Sequence, residues 1–295
     1  MRSASGTGPQ SSAIYRWSPF EGLRRVIGDN DTIETDRGLI NVGSESYYGA
    51  EINDAGQIAI SLDSRSSGQS ILLNSNEGTK VVARVNDQIG DERIWYLSNR
   101  FALSGSPVVV YEAAMDGGEA IPNLTRMLLR NSPGQAPEIV ARTLTQAPGA
   151  PDGIGFSPYF GDFAVNARGH VAIFSTLIDL QTREFNGSGI WVESCEGRLR
   201  PIAQTGELID VDSGPGLDLR QITSFAGMSY GGNQKGLASQ FNDRGQVAFT
   251  AHFSDGTSAI LISAATVPEP NSTFTLSFGV IAMLAAQKRR RSALV

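Results

Sequence analysis

The segment INDAGQIAISL, Ile52–Leu62, decides the fold. Asn53 and Asp54 favour entry into a turn, because their side chains accept hydrogen bonds from nearby backbone N–H groups. Gly56 can take the left-handed conformation that closes a type I turn with a bulge. Ile58 and Ile60 then fall on one face of the outgoing strand. The pattern returns as VNARGHVAIFS (Val165–Ser175), with Asn166 and Gly169 in the turn and Val171 and Ile173 alternating after it. It returns again as FNDRGQVAFTA (Phe241–Ala251), with Asn242, Asp243 and Gly245, then Val247 and Phe249. A degraded copy, ALSGSPVVVYEA from Ala102, keeps the strand Val108–Tyr111 but lacks the Asn-Asp turn.

A second unit follows each turn. GIWVESCEGRLRPIAQTGELI from Gly189 aligns without gaps on AIYRWSPFEGLRRVIGDNDTI from Ala13, and related pieces start at Ser70 and Arg126. Each reads as strand, polar turn, strand, then an acidic or amide-rich corner. With one more strand before the next Asn-containing turn, a repeat offers about four strands, the content of a β-propeller blade. The intervals from Gly56 to Ser106, Gly169 and Gly245 are 50, 63 and 76 residues. A blade usually takes ~40–50, so the excess sits in loops. The expected fold is therefore all-β: a β-propeller-like array of about four blades, complete or incomplete, over 12–263, followed by one C-terminal hydrophobic helix. Residues 1–11 read as a disordered N-terminus. AIYRW near the front and AILIS near the back are equivalent strands, so a simple ring would duplicate one strand. That duplication predicts an irregular closure or further chain upstream of Met1.

Composition sets outer limits. The 295 residues include 40% hydrophobic side chains, enough for a packed core, while 33 Gly and 13 Pro favour many short strands. A net charge of −6 argues against nucleic-acid binding, which needs a basic face. The single cysteine, Cys195, excludes an internal disulfide and a Cys-based zinc site.

The C-terminus is of a different kind. After the linker 264–272, Thr273–Ala286 (TFTLSFGVIAMLAA) is uncharged, and 287–295 carries Lys288, Arg289, Arg290 and Arg291. A thin, tilted transmembrane helix over 273–286 would leave the basic tail in the cytoplasm and the body on the far side. The linker contains Val267, Pro268, Glu269 and Pro270. Pro-Glu-Pro, short apolar helix and arginine cluster, in that order, resemble the PEP-CTERM sorting signal of bacterial exported proteins. The resemblance covers about the last tenth of the chain. It implies processing by exosortase, a membrane protease-transpeptidase, and passage from an inner-membrane-anchored precursor to the cell surface or extracellular polysaccharide. The Asn-Asp-x-Gly turns also look like the propeller-like repeats of planctomycete-type surface proteins with such tails. The first seventeen residues have no apolar export segment, which again predicts an upstream extension.

Chemistry-bearing residues are sparse. His170 and His252 stand at different offsets from their turn glycines, and His170 takes the place of Gln57 and Gln246, so it is expected to face solvent. Gly-x-Ser-x-Gly and His-Glu-x-x-His are both missing. Asp210, Asp212 and Asp218 in DVDSGPGLD form a weak calcium candidate without the spacing of an EF-hand. Tyr15, Trp17, Trp95, Tyr96 and Trp191 would make sugar-stacking platforms if exposed, although Tyr15 and Trp191 share a repeat position that suits a core aromatic. The expected function is an exported, noncatalytic binding or scaffold protein of the envelope or matrix. Its expected partners are exosortase, the membrane and extracellular polysaccharide, with no nucleic acid and no cofactor. The alternatives are a polysaccharide hydrolase or lyase and a tail-anchored cytosolic interaction protein.

Overall fold

The computed structural model describes residues 12–64, 68–132, 134–212, 216–226 and 240–263, the side chains of 44–46 excepted. The expectations for 1–11, the Pro-Glu-Pro linker, the helix 273–286 and the basic cluster lie outside these residues. Among the described residues there are twenty strands and no helix. The chain is all-β.

The strands form five antiparallel sheets in chain order. The first is the hairpin β1 (Ala13–Ser18) and β2 (Gly22–Gly28). The second contains β3 (Thr32–Thr35), β4 (Gly38–Ile52), β5 (Ile58–Ser64), β6 (Gly68–Ser75) and β7 (Gly78–Arg84). It curls until β3 meets β7 in parallel at Thr35 and Thr79, closing a five-stranded barrel. The third contains β8 (Gln88–Ile89), β9 (Glu92–Leu103), β10 (Val109–Asp116), β11 (Arg126–Asn131) and β12 (Glu138–Arg142). The fourth contains β13 (Ile154–Val165), β14 (Val171–Asp179), β15 (Phe185–Glu193) and β16 (Leu199–Gln204). The fifth contains β17 (Leu208–Asp210), β18 (Leu219–Ala226), β19 (Ala248–Phe253) and β20 (Ser258–Ile262).

Period-two alternation sends neighbouring residues of one strand into different cores. Ile58 and Ile60 pack with Ile27 of the first sheet, whereas Ala59 packs toward Val109 and Tyr111 of the third. Val110 and Leu128 turn the other way and join Val171, Ile173 and Trp191. Ala172, Ile190 and Val192 carry the packing on to Val247 and Phe249. Four apolar layers thus join five sheets face to face. This explains why VVVYEA reads as a continuous apolar run: both of its faces are covered.

The Asn turns fold as their chemistry dictates. The backbone N–H of Gln57, His170 and Gln246 donates to the Oδ1 of Asn53, Asn166 and Asn242 at 3.0 Å in each case. Gly56, Gly169 and Gly245 have φ of 74°, 85° and 75°, the left-handed region that glycine enters without a Cβ clash. The Asn53 and Asn166 turns join the first long strand of their sheet to the second, and the Asn242 turn leads into β19. The degraded copy keeps the closure, with Ser104 N–H donating to Val108 O at 3.0 Å.

The turns also touch one another. Asn53 Nδ2 donates to Ser104 O at 3.1 Å, and a Cβ on Gly105 would stand 2.9 Å from that of Ala167. Asn166 Nδ2 donates to Asn242 O at 3.2 Å, and Ala167 N–H donates to Asp243 Oδ1 at 2.8 Å. Asn166 and Asp243 therefore have a second role, bonding sheet to sheet, beyond the turn-forming role read from sequence.

Candidate functional site

In the second to fifth sheets the first long strand is bulged against the second. Tyr48 is an extra residue between Tyr47, paired with Leu62, and Gly49, paired with Ser61. Trp95 is extra between Ile94 and Tyr96, which pair with Met115 and Ala114. Residues 157–159 face a single residue of β14. A bulge releases side chains from the pleat and bends the strand. Tyr48, Trp95, Tyr96 and Tyr159 are left 46%, 42%, 38% and 54% exposed.

These rings are held in place. The Tyr48 hydroxyl stands near Asp63, Gln69 and Tyr96, and burial is the main cause that pushes its pKa up, so it remains a donor. Gln69 Oε1 in turn accepts Leu97 N–H at 3.0 Å. The Trp95 and Tyr96 rings stand 5.9 Å apart at 44°. Tyr96 and Arg126 both pair with Ala114, so they share one face of the third sheet on either side of a small residue. The Arg126 guanidinium stacks over Tyr159 of the fourth sheet at 4.7 Å. The row Tyr48, Trp95 and Tyr96, Arg126, Tyr159 therefore crosses three consecutive sheets.

Beneath it lies a buried ion network. Glu112, 1% exposed, accepts from Arg100 at 3.1 Å and from Arg126 at 2.9 Å. Arg100 reaches across to the fourth sheet, donating to Phe160 O at 3.0 Å, to Gly161 O and to Asp162 at 3.4 Å. A second cross-sheet pair joins Arg130 to both oxygens of Glu193 at 2.8 Å. Arg142 grips Glu92 bidentately. Arg100 and the Arg130–Glu193 pair tie the third sheet to the fourth, the Arg142–Glu92 pair braces the third sheet itself, and Arg126 positions Tyr159.

The sequence-derived candidates fall into place unevenly. Trp95 and Tyr96 join the row. Trp191 is fully buried, its ring 4.9 Å from that of Phe156 and its Nε1–H donating to Pro148 O at 2.9 Å. Tyr15 and Trp17 are 54% and 68% exposed on the first sheet, so the shared repeat position does not give a shared environment: the face of β1 that carries them meets none of the four apolar layers. His170 corrects the expectation of a solvent-facing side chain. It is half-buried, with Nδ1 enclosed and without a hydrogen-bond partner. His252 stands elsewhere, bonded to Ser258 at 2.7 Å. Cys195 is free and exposed.

The calcium candidates sit in one hydrogen-bonded loop. Asp210 Oδ1 accepts the N–H groups of Asp212 and Asp218, and the Asp218 carboxylate is held by Arg220 at 2.6 Å. Among the described residues no three His, Cys, Asp or Glu side chains form a metal-binding set. A separate concavity of about 410 Å³ lies between Ile139–Arg142 and Phe156–Leu199, and its Arg142 is already committed to Glu92.

Burial disfavours the charged form of His170 and lowers its pKa, with Arg130 and Arg168 adding to the effect and Glu193 opposing it. An unfolded histidine binds its proton near pH 6.5. The unfolded state therefore gains protons first as pH falls, and stability present above about pH 6.5 is lost below it. Thermal melts of His170→Gln, the residue of two sister turns, should lose less stability between pH 7 and pH 5 than wild type. Parallel pH curves would show that the imidazole is hydrated in both forms.

The geometry defines a class: all-β proteins of curled antiparallel sheets stacked in chain order. Residues 34–274 match the model of a family of unknown function, DUF7453, and the chain belongs to that family. No curated protein matches the sequence. The matched range takes in the turns and the aromatic row, whereas β1 and β2 precede it.

Proposed function

We propose that this is an exported, surface-sorted, noncatalytic binding protein built as a β-propeller-like array. Sheets joined in chain order, with their hairpin turns in one touching row, support the propeller-like reading. The observation that carries the binding role is the row of exposed aromatics on the first strands of three consecutive sheets. A soluble surface seldom places four large rings together without a ligand or partner to cover them. Binding is favoured over hydrolysis because both oxygens of Glu112, the buried carboxylate beneath the row, are taken by arginines. A glycosidase needs a carboxyl free to deliver a proton and a second one across the bond.

Export and sorting rest on the sequence Val267–Arg291 and its resemblance to PEP-CTERM signals. Exosortase would act on the linker and release the body to the surface. In the native host the surface-extracted protein should lack the apolar segment 273–286 by intact mass. In a host without exosortase it should keep that segment. Pro268, Glu269 and Pro270 changed together to Ala should block processing and leave the melting temperature of the body unchanged. A surface form that still ends at Val295 would leave a plain membrane anchor as the role of the tail.

A further inference from the structure

We propose that the row Tyr48, Trp95, Tyr96 and Tyr159 is a binding site for an internal segment of a neutral polysaccharide. This deepens the binding reading above and rests on it for the encounter with glycan at the cell surface. Three properties of the site select that ligand.

The first is shape. The row crosses three sheets, and packed sheets lie about 10 Å apart, so it runs for roughly 20 Å. A platform of that length suits an extended polymer better than a small molecule, which binds in an enclosing pocket. The second is the pairing of ring faces with acceptors. Sugar rings offer apolar C–H faces to aromatics and hydroxyl donors to carboxylates and amides. Asp63 pairs with Gln69 next to the bulge that carries Tyr48, and Asp162 follows Tyr159 by three residues and accepts from Arg100. A polyproline segment also stacks on aromatics, but it offers only carbonyl acceptors, which two carboxylates cannot satisfy.

The third is charge. Arg126, which stacks on Tyr159, bonds the buried Glu112 together with Arg100, and Arg93, two residues before Trp95, is paired with Asp116, so the charge of these cations is answered within the protein. Asp63 and Asp162 would repel carboxylate or sulfate groups. The site therefore takes a neutral chain, and Arg126 acts by fixing the plane of Tyr159.

The test is affinity electrophoresis of the purified full chain in native gels. The gels contain glucomannan or hydroxyethylcellulose as neutral polymers, or alginate as the acidic one. Retardation by a neutral polymer and not by alginate is expected. Trp95→Ala and Tyr96→Ala should each weaken retention about tenfold, as for the loss of a central aromatic anchor. Both side chains are partly exposed, so the variants should fold, and far-UV circular dichroism with a melt checks this. Tyr15→Ala, on the first sheet, should retain wild-type mobility. Retardation by alginate alone, by neither neutral polymer, or at the wild-type strength in Trp95→Ala and Tyr96→Ala would overturn the proposal. So would capture of a proline-rich peptide, lost in the same variants, in place of the glycan. The assay uses isolated protein, so its failure is separate from a failure of tail processing, which the mass measurement decides.

Discussion

Glu112→Ala should destabilise the protein by about 3–5 kcal/mol, the usual cost of removing one partner from a buried ion pair. Glu112 is 1% exposed and is shared by Arg100 and Arg126, each only about one-fifth exposed. Its removal leaves two guanidinium groups at an inter-sheet boundary without their common carboxylate. Arg100 keeps its carbonyl partners and Asp162, and Arg126 keeps only its stack on Tyr159 among the contacts described above. For a domain of this size the loss corresponds to a fall in Tm of roughly 10 °C or more. Glu112→Gln should lie between wild type and Ala, because it retains an acceptor but not the charge. Glu138→Ala removes the outer, exposed partner of Arg130 and should cost about 1 kcal/mol or less. Chemical denaturation of the three variants checks the order. A Glu112→Ala loss no larger than that of Glu138→Ala would mean that both arginines turn out to solvent.

Trp191→Ala should cost a similar amount, about 3–5 kcal/mol, by a different mechanism. The indole is fully enclosed between the third and fourth sheets among Leu128, Ala141, Phe156 and Ile173. Truncation leaves a cavity, removes the edge contact with Phe156 and leaves Pro148 O without its donor. Gly189 marks how tight the site is: a Cβ there would stand 2.7 Å from the indole. Trp17→Ala, by contrast, changes a 68% exposed side chain and should stay within about 0.5 kcal/mol. Urea denaturation of both decides. Equal costs would mean that the face of β1 carrying Trp17 is covered in solution.

Trp95 and Tyr96 show why the site was only half legible. Adjacent strand residues point to opposite faces, so a period-two reading buries one of them. The bulge at Trp95 breaks the period and turns both outward. Tyr159 is not among the sequence candidates: Pro158 beside it marks an irregular strand, since proline cannot donate to a ladder, but it does not say which side chain the bulge at 157–159 turns outward. A run of bulges is visible only when the partner strand is known, since a bulge is a mismatch between two strands. The cross-sheet pairs are equally hidden: Arg100 finds Asp162 and Arg130 finds Glu193, each more than 60 residues away.

The sequence alone determined the local unit. Asn, a left-handed Gly and alternating apolar residues specify a hairpin whose turn-closing hydrogen bonds lie within a few residues, so no distant contact is needed to read it. The tertiary structure alone decided which layer each residue enters, which carboxylate meets which arginine, and where the aromatics surface. Tyr15 and Trp191 make the point: they stand at the same position of one repeat, yet one is exposed and the other enclosed. Burial is a property of what lies opposite, and a neighbour brought in from sixty residues away leaves no local signature.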